Sequence, residues 1–382
     1  MRGVSILGST GSVGTQTLQV IEAFPDELEV VGLAAGRNVE LLLQQAKQFR
    51  PKLVSVGRPE DVARVREGLS DPAIEVVADL NAVASADADL MIGALVGGIG
   101  TEPVLTALGR GTDVALANKE VLVMAGEIVL ERARSGGARL IPLDSEHVAL
   151  HQCLAGHPRD ALRRVTLTAS GGPFRTATRA EIEAARPEEA LAHPNWEMGP
   201  KISIDSATLM NKGFEVIEAR WLFDLAPDQI DVVIHPESVI HSLVEFCDGA
   251  WLAQLAVPDM RVPIAYALAL PERLPLPELE PLDLVSIGSL RFEAPDLGRF
   301  PALRLALEAL AAGGTAPAVL SAANEVAVEA FLASKIGFTA IPQIAETVLE
   351  QLPSEPASGL PEIQRADREA RARASAWIEE RA

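Results

Sequence analysis

Up to about residue 144, short apolar runs rich in β-branched residues alternate with longer stretches whose apolar positions recur every three or four residues. The runs at 4–7, 28–33, 53–56, 90–93, 114–117 and 139–143 read as strands buried on both faces, and amphipathic helices lie between them, the first over 15–24. This alternation predicts an open parallel sheet covered by helices on both sides. Beyond residue 145 the rhythm changes. Strand candidates at 164–168, 231–235, 242–246 and 251–256 surround one long helix at 206–223, an α+β pattern. Pro271, Pro275, Pro277, Pro281 and Pro295 then break every periodicity, which reads as an extended linker. Alanine-rich helical patterns at 301–312, 317–335, 340–352 and 360–381 close the chain as a four-helix domain. The expected organisation is therefore an α/β domain over 1–144, an α+β domain over 145–269, a linker over 270–295 and a helical domain over 296–382. No internal repeat or low-complexity tract is visible.

At 382 residues, 48% of them hydrophobic, the chain is long enough for two or three cores. No apolar run approaches the roughly 18 residues of a membrane span, and the first strand begins almost at once, which argues against a signal peptide. A soluble, cytoplasmic protein is expected. Cys153 and Cys247 lack metal-site or redox spacing and read as small buried hydrophobes. With 53 acids against 33 bases the formal net charge is −20, which argues against nucleic acid and anionic membranes as partners. An acidic protein that binds phosphorylated ligands needs local cations, helix ends or a metal. That requirement directs attention to the few basic residues within polar motifs.

GSTGSVG at 8–14 joins the first strand to the first helix. Glycines at such a turn let the backbone approach a diphosphate, and the helix N-terminus offers free N–H groups and partial positive charge. The spacing Gly8, Gly11, Gly14 departs from the usual G-x-G-x-x-G, so a purely structural tight turn is the alternative. The second strand ends in Ala-Ala-Gly-Arg-Asn, with Arg37 where an NAD-binding domain carries an acid. An acid there accepts from a ribose hydroxyl, whereas an arginine pairs with a phosphate. NADP(H) is the cofactor these residues predict, on a Rossmann-like doubly wound sheet.

Asp144 and Glu146 follow the last strand of this domain, two residues apart, where they can serve as hard oxygen ligands of a divalent cation or simply as solvated acids. In KISIDSATLMNKGFEVIEA, 201–219, Asn211, Lys212 and Glu215 fall within about a 100° arc of a helix, with Ser206 just over a turn before them. They read either as an exposed Lys212/Glu215 pair or as a site in which Glu215 completes the metal shell while Ser206, Asn211 and Lys212 hold an anion. Gly213 in mid-helix, at about 1 kcal/mol, favours the site. Ala-Ser-Gly-Gly-Pro-Phe at 169–174 offers Ser170 and glycine N–H groups as a second anion cradle, or is only a loop. His193-Pro194-Asn195-Trp196-Glu197-Met198-Gly199-Pro200 suits a lid that closes over substrate, or a Trp packed on a neighbouring domain. Ala117-Asn118-Lys119-Glu120 begins a helix capped by Asn118, which leaves Lys119 for function.

GSTGSVG, AAGRN, ANKE, LDSEH, ASGGPF, HPNWEMG and KISIDSATLMNKGFE occur in the order and spacing of one family, and the chain resembles the 1-deoxy-D-xylulose 5-phosphate reductoisomerases of the non-mevalonate isoprenoid pathway. The resemblance implies that Asp144, Glu146 and Glu215 bind Mg²⁺ or Mn²⁺ and that Ser170, Ser206, Asn211 and Lys212 receive the substrate phosphate. It implies substrate contacts from Lys119, Ser145, Glu146, His193, Trp196 and Glu215, with Lys119, Glu146 and His193 catalytic and Met198 beside Trp196 on the closing loop. NADPH contacts are implied for Thr10, Gly11, Ser12, Val13, Gly36, Arg37, Asn38, Asn118, Glu120 and Gly199. His147, His241 and Met260 are weaker correspondences, and the histidines of HPESVIH, 235–241, read equally well as structural. Glu197 stands at a position that tolerates variation. The implied reaction isomerises 1-deoxy-D-xylulose 5-phosphate with a metal as Lewis acid and reduces the resulting aldehyde with NADPH to 2-C-methyl-D-erythritol 4-phosphate, in a homodimer. Two alternatives remain at this level: another metal-assisted NADP-dependent dehydrogenase or decarboxylase acting on a hydroxy-acid or sugar phosphate, and a non-catalytic NADPH-binding sensor.

Overall fold

The computed structural model describes residues 1–196 and 198–381, and its contacts separate into two compact units. The first comprises 1–121, 127–144 and 260–276; the second comprises 122–126, 145–259 and 277–382.

Among the described residues of the first unit, β1 (Arg2–Leu7), β2 (Leu28–Ala35), β3 (Leu53–Val56), β4 (Glu75–Val77), β5 (Leu90–Gly93), β6 (Asp113–Leu116) and β7 (Leu140–Pro142) form one sheet in the order β4-β3-β2-β1-β5-β6-β7. Every pairing is parallel. Parallel strands covered on both faces bury nearly every side chain, as Val4, Ile6, Leu33, Leu90 and Ile92 do here. The chain builds outward from β1 to β4, then crosses back to β5 and builds the other way. The crevice for ligands therefore opens where β1 and β5 end side by side. β4 had no counterpart in the sequence pattern because three edge residues are too few to display a period. Helix Arg261–Ala269 also belongs to this unit: Ile264, Ala267 and Leu268 join its core, and Arg2 donates to the Leu268 carbonyl at 2.7 Å. The expected 145–269 segment thus does not coincide with one packed unit, since local pattern changes at 269 whereas the buried face of this helix selects its neighbours.

In the second unit, β8 (Leu162–Ala169), β9 (Ile230–Ile234), β10 (Ile240–Phe246) and β11 (Trp251–Leu255) form a mixed sheet in the order β11-β10-β8-β9. Helices Pro301–Ala312, Ala316–Leu332, Ala340–Gln351 and Leu360–Glu379 share its hydrophobic core, through residues such as Phe214, Leu303, Leu320 and Ile344. Two expectations are corrected. The single helix expected over 206–223 is two, Pro200–Thr208 and Met210–Leu222, separated by Leu209 at φ 64°, where buried apolar packing of Leu209 holds a left-handed residue that propensity alone does not reveal. Cys247 is exposed rather than buried, because it lies in the turn between β10 and β11; Cys153 is buried, which pushes its thiol up to about 11. Gly213 also has a packing reason: a Cβ there would collide with the Cβ of Ala306, so the glycine lets helices Met210–Leu222 and Pro301–Ala312 approach.

Candidate active site

The glycine turn is shaped by close backbone approaches at the crevice. Gly8 has φ 90°, and a Cβ on it would strike the Ala94 carbonyl at the end of β5. A Cβ on Gly14 would strike the Gly8 carbonyl, so the helix Ser12–Ala23 can start directly against the turn. Gly11 is the N-cap and makes no side-chain cap, leaving the first-turn N–H groups at Ser12, Val13 and Gly14 without intrahelical acceptors. Gly11 and Ser12 are exposed, and Thr10 and Val13 are half-buried. Across the crevice edge, Gly36, Arg37 and Asn38 follow β2 on the surface; Asn38 caps helix Val39–Phe49 by accepting from Leu41 N at 3.2 Å. Arg37 makes no side-chain hydrogen bond or ion pair among the described residues. At the end of β6, Asn118 and Glu120 are buried and joined by a 2.6 Å bond from Asn118 Nδ2 to Glu120 Oε2. The Asn118 side chain does not cap its helix, contrary to expectation: its Oδ1, the atom a cap would use, accepts from no first-turn N–H and lies against Gly100 instead.

Lys119 is buried and donates to Asp144, so it is paired rather than free. Asp144 immediately precedes helix Ser145–Leu154, whose second residue is Glu146. Asp144, Glu146 and Glu215 each present one oxygen, and these oxygens lie within 4.8 Å of one another. Lys212, 3% exposed, bridges two of them: its Nζ donates to Glu146 Oε1 at 2.9 Å and to Glu215 Oε2, which is 1% exposed. The exposed Lys212/Glu215 pair is thereby excluded. Asn211 Nδ2 donates to Glu215 Oε1 at 2.6 Å, and Ser145 Oγ donates to Glu146. His147 is fully buried behind this cluster, with Nε2 2.9 Å from the Glu215 carbonyl and Nδ1 3.8 Å from Glu218. Like-charged carboxylates this close repel strongly out of water, and the lysine ammoniums offset that repulsion. Hard oxygens at this separation match the donor set of Mg²⁺ or Mn²⁺.

The loop after β8 turns through Gly171 and Gly172 at φ 85° and 68°, and a Cβ on Gly172 would lie 2.9 Å from the Ser206 carbonyl. That approach seats the Ser170 loop on helix Pro200–Thr208. His193 accepts at Nδ1 from Asn195 N at 3.2 Å and Trp196 N at 3.0 Å, so its proton sits on Nε2, which lies 2.9 Å from Ser170 Oγ and donates to it. Burial pushes the His193 imidazole below its ordinary value, with Glu146 opposing, and the ring is neutral near pH 7. Asn195, to which no role was attached from sequence, ties the loop down by donating to the Pro236 carbonyl at 2.9 Å and Ser238 Oγ at 2.8 Å. Trp196 and Met198 are half-buried, the Trp196 ring lying 6.2 Å from that of His241; Glu197 lies outside the described residues. Gly199 is the exposed N-cap of helix Pro200–Thr208. His235 is structural: it accepts at Nε2 from Val239 N and Ile240 N and bonds the Arg291 carbonyl through Nδ1 at 2.9 Å. Met260 precedes helix Arg261–Ala269 and packs on the first unit's core.

Three family models match in succession: 1-deoxy-D-xylulose 5-phosphate reductoisomerase over residues 4–126, its C-terminal domain over 140–223, and the DXP reductoisomerase C-terminal domain over 255–373. A 1-deoxy-D-xylulose 5-phosphate reductoisomerase of Anaeromyxobacter sp. (strain K) is 54% identical over 93% of this chain and 92% of its own. Another, from Chlorobium phaeobacteroides (strain BS1), is 51% identical over 97% and 98%. Among solved structures, the Zymomonas mobilis reductoisomerase in complex with NADPH superposes with a TM-score of 0.92 at 45% identity, covering 99% of both chains. A DOX-P reductoisomerase in complex with NADPH, fosmidomycin and magnesium gives 0.94 at 42% identity, covering 99% of this chain and 98% of that one.

Proposed function

This chain belongs to the 1-deoxy-D-xylulose 5-phosphate reductoisomerase family, and from that premise we propose how its own residues carry the reaction. The enzyme is an NADPH-dependent oxidoreductase that, with a divalent metal, converts 1-deoxy-D-xylulose 5-phosphate to 2-C-methyl-D-erythritol 4-phosphate. When bound, the metal supplies Lewis acidity to ketone and hydroxyl oxygens, and NADPH supplies the hydride. Asp144, Glu146 and Glu215 hold the ion, Mg²⁺ or Mn²⁺; the convergence of their oxygens is the observation that carries this reading. Lys212, Asn211, Ser206 and Ser170 bind the phosphate, a group remote from the reacting carbons whose binding orients them. The neutral Nε2–H of His193 holds Ser170 Oγ as an acceptor, so the hydroxyl proton points outward to an anion. Lys119 and Glu146 exchange protons with the substrate hydroxyls, Ser145 keeps Glu146 aligned, and Trp196 and Met198 exclude water.

We assign NADPH to the first unit, through Thr10, Gly11, Ser12, Val13, Gly36, Arg37, Asn38, Asn118 and Glu120. The tight turn, the unspent N–H groups and the exposed Arg37 support that assignment. A homodimer is supported by β11, an outer strand whose Trp251, Leu252 and Ala253 are exposed and whose edge is open to pairing. An exposed free thiol and dependence on NADPH support a cytoplasmic location. The test of function is loss of NADPH absorbance on adding 1-deoxy-D-xylulose 5-phosphate. Turnover is expected with Mg²⁺, none after chelation, and recovery when Mg²⁺ or Mn²⁺ is returned; chelator-resistant turnover would contradict the metal assignment.

A further inference from the structure

Helix Ala316–Leu332 supplies none of the residues assigned above, yet one of its side chains reaches the helix that carries Ser206. Asn324 is fully buried, and its Nδ2 donates to Asp205 Oδ1 at 2.8 Å across 119 residues of chain. Asp205 is 2% exposed and accepts on its other oxygen from Lys201 Nζ at 2.7 Å. Asn324 Oδ1 has no partner among the described residues. An amide left half-satisfied in the interior is unfavourable, and an apolar side chain of the same shape would remove that cost. It would also take the Asn324 donor away from a buried carboxylate oxygen. The amide at this position is thus explained by the one bond it makes.

Asp205 immediately precedes Ser206, and the backbone around them is tied to the site on both sides. The Ser206 carbonyl accepts from Leu209 N at 3.2 Å in the left-handed turn that leads into the helix of Asn211, Lys212 and Glu215. The same carbonyl and Ala207 Cα border Gly172 in the Ser170 loop. Rotation of helix Pro200–Thr208 would move all of these together. We propose that Asn324 is a positioning residue for phosphate binding: by holding Asp205 it fixes the rotation of helix Pro200–Thr208, and so the placement of Ser206 and of the Ser170 loop. This rests on the reading of Ser170, Ser206, Asn211 and Lys212 as the phosphate group's partners.

The test compares Asn324→Leu, Ser206→Ala and the double variant Asp205→Asn/Asn324→Asp in the full-length enzyme with Mg²⁺. The double variant keeps one N–H···O bond across the pair with donor and acceptor exchanged, and leaves Lys201 an acceptor at position 205. Steady-state kinetics, competition by inorganic phosphate, NADPH affinity and melting temperature are read for each. Asn324→Leu is expected to raise the KM for 1-deoxy-D-xylulose 5-phosphate about 10-fold and weaken phosphate competition alike, with NADPH affinity unchanged; the double variant recovers most of both. If Asn324→Leu leaves that KM unchanged while Ser206→Ala raises it, the proposal is overturned. Equal losses toward substrate and NADPH with a lower melting temperature, and no recovery in the double variant, also overturn it by showing a merely structural role. Should Asn324→Leu fail to fold, the double variant decides: a KM near wild type supports the proposal and a raised one refutes it. If Ser206→Ala itself leaves KM and phosphate competition untouched, the phosphate assignment falls and this inference with it.

Discussion

At the glycine turn, Gly11 and Ser12 lie exposed and offer backbone N–H groups, whereas the carboxylate cluster is built of side chains, Lys212 and Glu215 among them, withdrawn from water. A site made of main chain depends on the path of the backbone and on one flanking arm, Arg37. Most side-chain changes leave it standing. A site made of buried ions depends on every member, because removing one leaves its partner's charge uncompensated at about 3–5 kcal/mol. In the proposed function the same contrast separates binding from chemistry: the helix end and glycines are assigned the cofactor, and the paired charges are assigned what must react.

The largest break of this contrast is Glu215→Gln. Turnover is expected to fall by at least about 1,000-fold with NADPH affinity nearly intact, since the change strikes the ionic region alone; wild-type activity in this variant would remove Glu215 from the metal shell. Next is Arg37→Glu, confined to the other region. It should raise the KM for NADPH roughly 10- to 100-fold and shift preference toward NADH, leaving the KM for the sugar phosphate unchanged. An unaltered NADPH/NADH ratio would mean that the 2′-phosphate is held elsewhere. Trp196→Ala should slow turnover several-fold without lowering the melting temperature, as loss of a cover over the site would; equal rates would count against a closing loop. The smallest effect separates the two thiols. Cys153, with its pKa raised to about 11 by burial, should resist alkylation at pH 8 in the native protein, while exposed Cys247 reacts; mass spectrometry showing both labelled at one rate would contradict the burial.

The first unit was largely legible from sequence because its parallel strands are short, doubly buried runs whose apolar residues declare themselves, as at Leu53–Val56 and Leu90–Gly93. The three acids whose oxygens converge are singled out in the sequence by position alone, Asp144 and Glu146 after a strand and Glu215 on one helical arc. What lay beyond reach were effects of distant packing. Lys119 and Asp144 are 25 residues apart in sequence, and nothing local says that the ammonium is spent on that carboxylate. The break at Leu209 is made by a residue with no turn propensity, held left-handed by burial. Gly213 pointed toward the site in sequence, but Ala306 on another helix accounts for it in space. In each case the local residue is ordinary, and its partner lies elsewhere along the chain.

The central claim is that three carboxylates share one divalent ion, and it is tested most directly by titrating the protein with Mn²⁺ and following the free ion by electron paramagnetic resonance. The account predicts one site in the wild type, competed by Mg²⁺, and a large loss of affinity in each of Asp144→Asn, Glu146→Gln and Glu215→Gln. Undiminished binding in any of the three would contradict it.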